Sequence, residues 1–408
     1  MSKFIVRGKN TLRGTVTVGG SKNAALPVIF AAISLFGTSR IVGLPHIGDV
    51  DVALELIKEQ GATVTREGNT TVITTDSLTY RKPSPELVSS LRASTYLIGA
   101  CLARFGRVDV GGYGGCSFCA RPVDYHIDLA CAMGATFVGD ILTLSRPSPI
   151  KHKFPKPSVG ATANFLILAS SIEGESRLEN AAREPHIDTL IAFLRSAGAK
   201  IEREGSTLTV SGGALHGGCV TIPGDPIEAA TFISASLATG GSVRVLGAQA
   251  SELSPLLDTL RRAGATVSCD LGITVTARQL SHMSVVAGAY PGFPTDMQPL
   301  CAPIFATHLG GHIFDTVWQG RYGYLSQLAR LGVRYTISDK GAEIYPSDLT
   351  AGCADAVDLR GGAACIITAL AADGYSVINS AETVLRGYSD LVRKLFLLGA
   401  DIEYLKDG

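Results

Sequence analysis

Apolar and polar positions repeat along this chain with one long period. An amphipathic stretch ends in a small glycine-containing turn and then passes into a β-branched run, as in Gln60-Gly61-Ala62-Thr63-Val64. The pattern returns roughly every 67 residues, less well at the fifth copy. Its six glycines are Gly61, Gly134, Gly198, Gly264, Gly332 and Gly399. Glycine fits the left-handed position that ends a helix, so each copy predicts an amphipathic helix followed by a strand.

A second helix recurs in the same frame and is apolar on all sides, which predicts that it is buried. The glycines that follow it are Gly37, Gly106, Gly174, Gly240, Gly310 and Gly374. Two independent markers with one period predict six units, each a strand, a buried helix, a strand, a surface helix and two strands. Two domains of three units fit the 408 residues better than a solenoid, whose ends would need polar capping units. The boundary is expected near Asp225-Pro226.

Composition narrows the class of partner. The chain is 46% hydrophobic and 18% charged, and 36 basic residues balance 36 acidic ones. This balance gives no sign of nucleic-acid or membrane binding, so an anionic ligand would have to be held by local basic groups. Residues 1–20 read as a strand rather than a signal peptide, and the apolar runs are too short to span a bilayer. Nine scattered cysteines suit a cytoplasmic protein with reduced thiols.

Basic residues stand at several predicted helix starts, where they oppose the helix dipole unless an anion is bound nearby. Lys22, Arg92 and Arg360 are the clearest cases. The alternative for any one of them is a surface cation paired with a carboxylate, but that reading is weaker for all of them together. These residues are therefore candidates for binding a phosphate or a carboxylate.

A glycine-rich segment at residues 111–122 is predicted to be a lid loop. It carries Cys116 close to Arg121, and a nearby cation lowers the pKa of a thiol. Cys116 and Cys119 also match a CxxC spacing. Two further ligands at a suitable spacing are missing, which disfavours zinc, and the surroundings are not those of a redox dithiol. The sequence therefore predicts neither a metal nor a cofactor.

Asp296 follows a proline at a predicted helix start, in Phe293-Pro294-Thr295-Asp296-Met297-Gln298. Aspartate is favoured as a helix cap, so a structural role is possible. A general base is the functional alternative. The residues by themselves leave these two readings open.

Several motifs together resemble the UDP-N-acetylglucosamine enolpyruvyl transferase family of the EPSP synthase superfamily, from one end of the chain to the other. The motifs are Gly20-Ser21-Lys22-Asn23-Ala24-Ala25-Leu26-Pro27, Leu91-Arg92-Ala93-Ser94, Gly115-Cys116 with Ala120-Arg121-Pro122-Val123-Asp124, Ser158-Val159-Gly160-Ala161-Thr162, Asn180-Ala181-Ala182-Arg183-Glu184-Pro185, Phe293-Pro294-Thr295-Asp296-Met297-Gln298, Asp358-Leu359-Arg360 and Arg386-Gly387-Tyr388.

The resemblance implies an α/β fold of two inverse α/β-prism domains, each with three βαβαββ repeats and with the active site in the interdomain cleft. One domain would span residues 22–224, and residues 1–21 plus 225–408 would form the other. The implied reaction transfers the enolpyruvyl group of phosphoenolpyruvate to the 3′-hydroxyl of UDP-N-acetylglucosamine and releases phosphate. It is the first committed step of peptidoglycan synthesis. The implied partners are these two small molecules, with the protein a monomer or weak homo-oligomer.

The resemblance also implies the residue roles. Asp296 would take the proton from the sugar hydroxyl, and Cys116, the family thiol that fosfomycin alkylates, would protonate the methylene carbon of phosphoenolpyruvate. Lys22 and Arg386 complete the implied catalytic set. The implied phosphoenolpyruvate ligands are Lys22, Arg92, Arg121, Arg321, Arg360 and Arg386. The implied nucleotide-sugar ligands are Asn23, Arg92, Arg121, Pro122, Val123, Asp124, Lys156, Ser158, Val159, Gly160, Asp296 and Val317.

Four positions depart from the family pattern and keep other readings open. They are Cys119, His186, Leu385 and the pair Gly361-Gly362. One alternative is a paralogous enolpyruvyl transferase that uses another acceptor. The other is a non-catalytic homologue that binds a UDP-sugar, which the intact Lys22, Cys116, Asp296 and Arg386 disfavour.

Overall fold

The structure is a computed structural model that describes residues 2–113 and 123–406. The chain divides into two compact units. The terminal unit contains the residues up to Gly19 and those from Gly224 onward. The middle unit contains the described residues between Gly20 and Pro223.

The first residues, expected to read as one strand, form two. They are β1 (Lys3–Arg7) and β2 (Arg13–Thr17). Between them Gly8 lies so close to α-helical backbone that a Cβ there would be 2.0 Å from the carbonyl oxygen of Ala372. This close approach requires glycine, and it separates the segment into strands that join two different sheets.

Alternating helices and strands build the middle unit. Its helices are α1 (Lys22–Ala31), α2 (Gly48–Glu59), α3 (Pro85–Ser90), α4 (Leu97–Phe105), α5 (Asp124–Ala132), α6 (Val159–Ser170) and α7 (Pro185–Ser196), with 3₁₀ turns at Ala32–Ser34 and Arg92–Tyr96. Its strands are β3 (Thr38–Val42), β4 (Thr63–Glu67), β5 (Thr70–Thr74), β6 (Arg107–Asp109), β7 (Ala135–Val138), β8 (Ile141–Leu144), β9 (Lys151–Lys153), β10 (Gly174–Glu179), β11 (Lys200–Glu204), β12 (Thr207–Gly212) and β13 (Cys219–Thr221).

Three sheets surround the buried helices α1, α4 and α6. The strand orders of these sheets are β13-β3-β5-β4, β6-β8-β7 and β11-β12-β10-β9. Every residue of α6 from Ala161 to Ser170 is buried, as its uniformly apolar sequence predicts. β13 pairs in parallel with β3, with Val220 opposite Ile41. The last strand of the unit therefore completes its first sheet.

The second repeat differs from the predicted pattern, because its sheet has three strands among the described residues. No strand precedes α4, although the repeat predicts one. The segment that would form it contains Pro83 and Pro85. Proline has no N–H to donate to a strand ladder, which gives the physical reason.

The terminal unit repeats the same plan. Its helices are α8 (Pro226–Ala238), α9 (Ser254–Arg262), α10 (Gln298–Thr307), α11 (Gly323–Ala329), α12 (Leu359–Ala371), α13 (Ala381–Leu385) and α14 (Leu391–Leu397). Its later strands are β14 (Ser242–Leu246), β15 (Thr266–Ser268), β16 (Ile273–Thr276), β17 (Met283–Ala287), β18 (Gly311–Asp315), β19 (Arg334–Ser338), β20 (Gly341–Tyr345), β21 (Cys353–Asp355), β22 (Tyr375–Asn379) and β23 (Asp401–Leu405).

The buried helices α8, α10 and α12 pack against one another, and sheets of order β15-β16-β14-β2, β17-β18-β20-β19 and β21-β22-β1-β23 cover them. In the last sheet, β1 lies antiparallel between β22 and β23, so that Ile5 faces Val377 on one side and Glu403 on the other. The two ends of the chain thus complete one sheet. The α/β class and the repeated two-domain prism fold are confirmed.

The predicted turn glycines also have the expected backbone. All six glycines of the first marker have φ between +91° and +110°, the left-handed region that glycine adopts without strain. The last surface helix is divided into α13 and α14, because residues 386–390 between them are not helical. This break places Arg386 at a helix end. Within the described ranges, no helix combines the length and apolarity that crossing a bilayer requires.

Candidate functional site

The terminal unit gathers one carboxylate and two arginines beside the starts of α10, α11 and α12. Asp296 stands in the turn that precedes α10, and its side chain is 31% exposed. The Arg321 Nη1 lies 2.9 Å from Asp296 Oδ1, and the Arg360 Nε lies 3.5 Å from Oδ2. The two arginine side chains are only 4% and 2% exposed. We call Asp296, Arg321 and Arg360 the arginine–carboxylate cluster.

Asp296 is not the N-cap residue of α10. The N-cap of α10 is Met297, and no side chain makes the cap hydrogen bond there. The carboxylate instead faces the two guanidinium groups. The N-cap position that the sequence suggested for Asp296 is thus occupied by Met297.

Local packing holds Arg321 in place. Its Nη1 also donates to the Thr295 hydroxyl at 2.8 Å, and its carbonyl oxygen accepts from Gln298 Nε2 at 3.0 Å. The Tyr324 hydroxyl donates to Gln298 Oε1 at 2.7 Å. Burial opposes the charged form of Arg321, but the charges of Asp296, Asp358 and Asp315 together outweigh it, so the pKa of Arg321 is raised and the side chain remains a cation.

Arg360 differs from Arg321 in its hydrogen bonding. Its Nε, Nη1 and Nη2 are buried and have no hydrogen-bond partner among the described residues. Its guanidinium carbon lies 5.2 Å from the centre of the Tyr388 ring. Burial opposes the charge, yet electrostatic interactions with Tyr388 and Asp296 raise the pKa of Arg360. A cation with unfilled N–H groups is well suited to an anionic ligand, since an unmet buried donor is costly.

Close packing at the start of α12 explains one departure from the family pattern. Asp358 caps this helix by accepting from the backbone N–H groups of Arg360 and Gly361, each at 3.0 Å. A Cβ at Gly361 would lie 2.7 Å from the Asp358 carboxylate, and one at Gly362 would lie 2.6 Å from Val384. The two glycines therefore let the helix that carries Arg360 approach its neighbours closely.

The remaining terminal-unit candidates stand apart from this cluster. Val317 is 39% exposed, in the segment after β18. Arg386 is half-buried at the end of α13. Leu385, the residue before it, packs against the apolar core of the unit, which accounts for its hydrophobic character.

In the middle unit, the candidates lie at the starts of α1 and α6 and at neighbouring turns. Lys22, the first residue of α1, has its Nζ 2.9 Å from Asp49 Oδ2, and both side chains are largely buried. Asn23 follows it and is half-buried. The alternative of a surface cation paired with a carboxylate thus holds for Lys22 in part, because the pairing is present but the pair is buried. Asp49 was missed by the sequence analysis, because an aspartate in the first turn of a helix is an ordinary feature.

The start of α6 carries a second group of candidates. The Ser158 hydroxyl caps the helix by accepting from the Ala161 N–H at 3.3 Å. Val159 and Gly160 are half-buried beside it, and Lys156 is exposed. A helix N-terminus with small residues presents free N–H groups, which suits a phosphate.

A buried His126 joins the helices around this group. Its Nδ1 lies 2.6 Å from Asn164 Nδ2, which also donates to the Thr95 carbonyl at 2.9 Å. A Cβ at Gly160 would lie 2.8 Å from the imidazole ring. Burial and the charge of Arg92 lower the pKa of His126 to about 4, so it is neutral near neutral pH. Sequence reasoning missed both His126 and Asn164, since isolated polar residues in apolar helices give no functional signal.

Arg92 begins the 3₁₀ turn that precedes α4 and is half-buried. Val123 is half-buried before α5, and Asp124 is exposed in its first turn. His186, a departure, stands near the start of α7. Cys116, Cys119, Arg121 and Pro122 lie outside the described residues. Over residues 2–113 and 123–406, no group of histidine, cysteine, aspartate and glutamate side chains is arranged to hold a metal ion.

Comparison with known proteins places this arrangement in context. A family model described as EPSP synthase (3-phosphoshikimate 1-carboxyvinyltransferase) matches residues 6–395. The chain is 36% identical over 415 residues to a UDP-N-acetylglucosamine 1-carboxyvinyltransferase of Halothermothrix orenii, with 100% of both chains covered. It is 38% identical over 419 residues to a protein of that name from Chlorobaculum parvum, covering 99% of this chain and 98% of the other.

Solved structures show the same fold. The enolpyruvyl transferase NikO from Streptomyces tendae has a TM-score of 0.88 and 25% identity, covering 100% of this chain and 99% of its own. An EPSP synthase from Acinetobacter baumannii has a TM-score of 0.71 and 20% identity, with full coverage of both chains.

Proposed function

This chain belongs to the EPSP synthase family and, within it, to the UDP-N-acetylglucosamine 1-carboxyvinyltransferases, and we propose that it transfers an enolpyruvyl group from phosphoenolpyruvate to the 3′-hydroxyl of UDP-N-acetylglucosamine. Phosphate is released, and the product enters peptidoglycan synthesis. The structural observation that carries the proposal is the arginine–carboxylate cluster. A partly exposed Asp296 is held by two buried cations, and none of the three guanidinium nitrogens of Arg360 has a hydrogen-bond partner among the described residues.

In the addition step, Asp296 takes the proton of the sugar hydroxyl while the hydroxyl oxygen bonds to C2 of phosphoenolpyruvate. The C2–C3 double bond takes up a proton at C3, for which the family resemblance assigns the Cys116 thiol. The result is a tetrahedral ketal. In the elimination step a proton leaves C3, the double bond re-forms, and the C2–O bond to phosphate breaks. Positioned acid and base groups of this kind each contribute ~10²–10⁴-fold to rate.

Arg321 and Arg360 have complementary parts in this proposal. Arg321 already bonds to Asp296 and Thr295, so it fixes the carboxylate in position. Arg360 retains its fork of donors for the carboxylate or phosphate of phosphoenolpyruvate, a geometry that guanidinium groups match well.

The middle-unit residues are assigned as ligands by the resemblance. Lys22, Arg92 and Arg121, with Arg386 of the terminal unit, bind the anionic groups of phosphoenolpyruvate. Asn23, Pro122, Val123, Asp124, Lys156, Ser158, Val159 and Gly160 bind the nucleotide sugar. The capped N-terminus of α6 supports a phosphate-binding role for Ser158–Gly160, since it combines small residues with free N–H groups.

A second candidate is an enolpyruvyl transferase with another acceptor. Its support is the NikO likeness at a TM-score of 0.88 and a family model described by its 3-phosphoshikimate reaction. The higher identity to UDP-N-acetylglucosamine 1-carboxyvinyltransferases favours the nucleotide sugar.

The test is phosphate release from phosphoenolpyruvate with UDP-N-acetylglucosamine, with shikimate 3-phosphate, or with no acceptor. We expect release only with the nucleotide sugar, and loss of that release after fosfomycin treatment. Release with shikimate 3-phosphate alone would favour the second candidate. Absence of release with either acceptor, while UDP-N-acetylglucosamine still binds by calorimetry, would identify a non-catalytic homologue.

A further inference from the structure

The segment that follows β18 is organised by one buried carboxylate. Asp315, the last residue of that strand, is 0% exposed. Its Oδ1 accepts from the backbone N–H groups of Val317 at 2.9 Å and Trp318 at 2.8 Å. Two successive N–H groups directed at one oxygen turn the chain sharply away from the sheet. Residues 316–320 therefore take their shape from Asp315.

The far end of this segment is tied to the arginine–carboxylate cluster. The Arg321 N–H donates to the Trp318 carbonyl at 3.1 Å, so the residue that Asp315 holds also holds the backbone of Arg321. The Arg321 side chain bonds to Asp296 at 2.9 Å. One chain of contacts thus runs from Asp315 through the turn to the proposed base.

A charged residue at this position has a cost that a turn alone does not explain. Asparagine or serine would order the same turn without burying a charge. Burial raises the pKa of Asp315, although the N–H groups of Trp318 and Val317 and the charge of Arg321 act in the opposite direction. Its Oδ2 is buried and has no hydrogen-bond partner among the described residues. A carboxyl group that leaves one buried oxygen unpaired is costly, which indicates a task beyond local folding.

We propose that Asp315 is a positioning residue that shapes residues 316–320 into a contact surface for the sugar of the acceptor. This inference rests on the proposed function. Val317 is exposed at this turn, only four positions before Arg321, whose partner Asp296 is the proposed base for the sugar hydroxyl. The surface therefore belongs with the sugar and not with the uridine.

The bonding also specifies the chemistry of that contact. The Val317 N–H is engaged by Asp315, so the groups left for a ligand are its carbonyl oxygen and its side chain. A carbonyl accepts from sugar hydroxyls or from the amide N–H of an N-acetyl group. An acceptor with such donors would be preferred, whereas UDP without a sugar would gain nothing from this surface.

The experiment compares three variants with the wild-type enzyme in the phosphate-release assay. Asp315→Ala removes both bonds to the turn, and Asp315→Asn keeps an acceptor oxygen at the Oδ1 position. Tyr322→Phe is the matched control, because the Tyr322 hydroxyl accepts the Asp315 N–H at 3.1 Å without contributing to the turn.

Because Asp315→Ala loses two hydrogen bonds to the turn, we expect it to raise the KM for UDP-N-acetylglucosamine by about 10-fold or more and to change kcat by less than about 3-fold. Asp315→Asn should recover most of the affinity, and Tyr322→Phe should stay within about 2-fold of wild type. By calorimetry, Asp315→Ala should weaken binding of UDP-N-acetylglucosamine and leave binding of UDP unchanged.

Three results would overturn the inference: an unchanged KM in Asp315→Ala, an equal loss in Tyr322→Phe, or an equal loss of UDP affinity. If Asp315→Ala does not fold, Asp315→Ser takes its place, because it retains one shorter acceptor, and it should raise the KM by about 5-fold. A wild-type protein that shows no turnover would instead count against the proposed function, and calorimetry with UDP-N-acetylglucosamine would still test the role of Asp315.

Discussion

Two buried ionic groups of the terminal unit each combine a carboxylate with basic side chains, but they differ in the number of cations and in how many hydrogen bonds are satisfied. Glu228 is buried in α8, where its Oε1 lies 2.6 Å from Lys394 Nζ and its Oε2 accepts the Gly19 N–H at 2.6 Å. One anion meets one cation, and both carboxylate oxygens are used. In the arginine–carboxylate cluster, one carboxylate meets two cations, and none of the three guanidinium nitrogens of Arg360 has a hydrogen-bond partner among the described residues.

The difference indicates separate tasks. A balanced pair with its hydrogen bonds satisfied mainly holds the fold together, because loss of either partner leaves an uncompensated buried charge. A group in which a buried guanidinium has unmet donors is suited to bind an anion. Variants of the first group should therefore change stability, and variants of the second should change activity.

Asp296→Asn is expected to have the largest effect. An amide cannot take the proton of the sugar hydroxyl, so kcat should fall by ~10²–10⁴-fold. Phosphate release measures this, with Asp339→Asn at an exposed position as the matched control. A fall of less than about 3-fold would remove Asp296 from the role of base.

Lys394→Met is expected to have the second largest effect, and the quantity that it changes is the stability of the fold. Leaving Glu228 buried without its cation should lower the free energy of unfolding by about 3–5 kcal/mol. Urea denaturation measures the loss, and the double variant Glu228→Gln with Lys394→Met should recover much of it. The activity of the folded fraction should be close to wild type. Loss of activity without loss of stability would reverse the assignment of this pair.

Arg360→Lys tests whether the arginine–carboxylate cluster affects substrate binding and not stability. Lysine keeps the positive charge but lacks the planar fork of donors, so the KM for phosphoenolpyruvate should rise by about 30-fold. The free energy of unfolding should change by less than about 1 kcal/mol, because lysine keeps the positive charge beside Asp296 and the lost donors have no hydrogen-bond partner among the described residues. A large loss of stability with an unchanged KM would show that Arg360 is structural.

His126 gives the smallest expected effect, and it depends on pH. Burial and Arg92 lower its pKa to about 4, so the folded state favours the neutral ring. Its contribution to stability is complete above the unfolded pKa of about 6.5 and is lost as the pH falls through the folded pKa. The stability difference between wild type and His126→Gln should therefore shrink by about 1–2 kcal/mol from about pH 7 to pH 5. A difference that stays constant over this range would contradict the shifted pKa.

The repeat was accessible to sequence reasoning because it rests on local chemistry. Gly61 and Gly399 end helices in the left-handed region wherever the pattern places them, and the uniformly apolar α6 is buried as predicted. The missing strand before α4 was not predicted, although Pro83 and Pro85 are visible in the sequence. A strong repeat led to the expectation that every copy is complete, and the local proline signal was overlooked.

The candidate site was only partly accessible in the same way. Cations at helix starts were identified because they conflict with the helix dipole, and Asp296 was identified with two possible roles. Their partners Asp49 and Tyr388, the buried pair His126 and Asn164, and the proposed positioning residue Asp315 carry no such local conflict. Lys22 pairs with Asp49 over 27 positions of sequence, and Asp296 pairs with Arg321 over 25.

The sequence by itself determined the period, the buried and surface helices, the turn glycines and the chemical types gathered at the helix starts. These follow from hydrophobic periodicity and backbone preference, which act over a few residues. The tertiary structure alone decided that Asp296 faces two guanidinium groups, and that the guanidinium nitrogens of Arg360 have no hydrogen-bond partner among the described residues. The reason is physical: charge balance and hydrogen-bond satisfaction are properties of groups brought together by folding, and sequence spacing does not encode which groups meet.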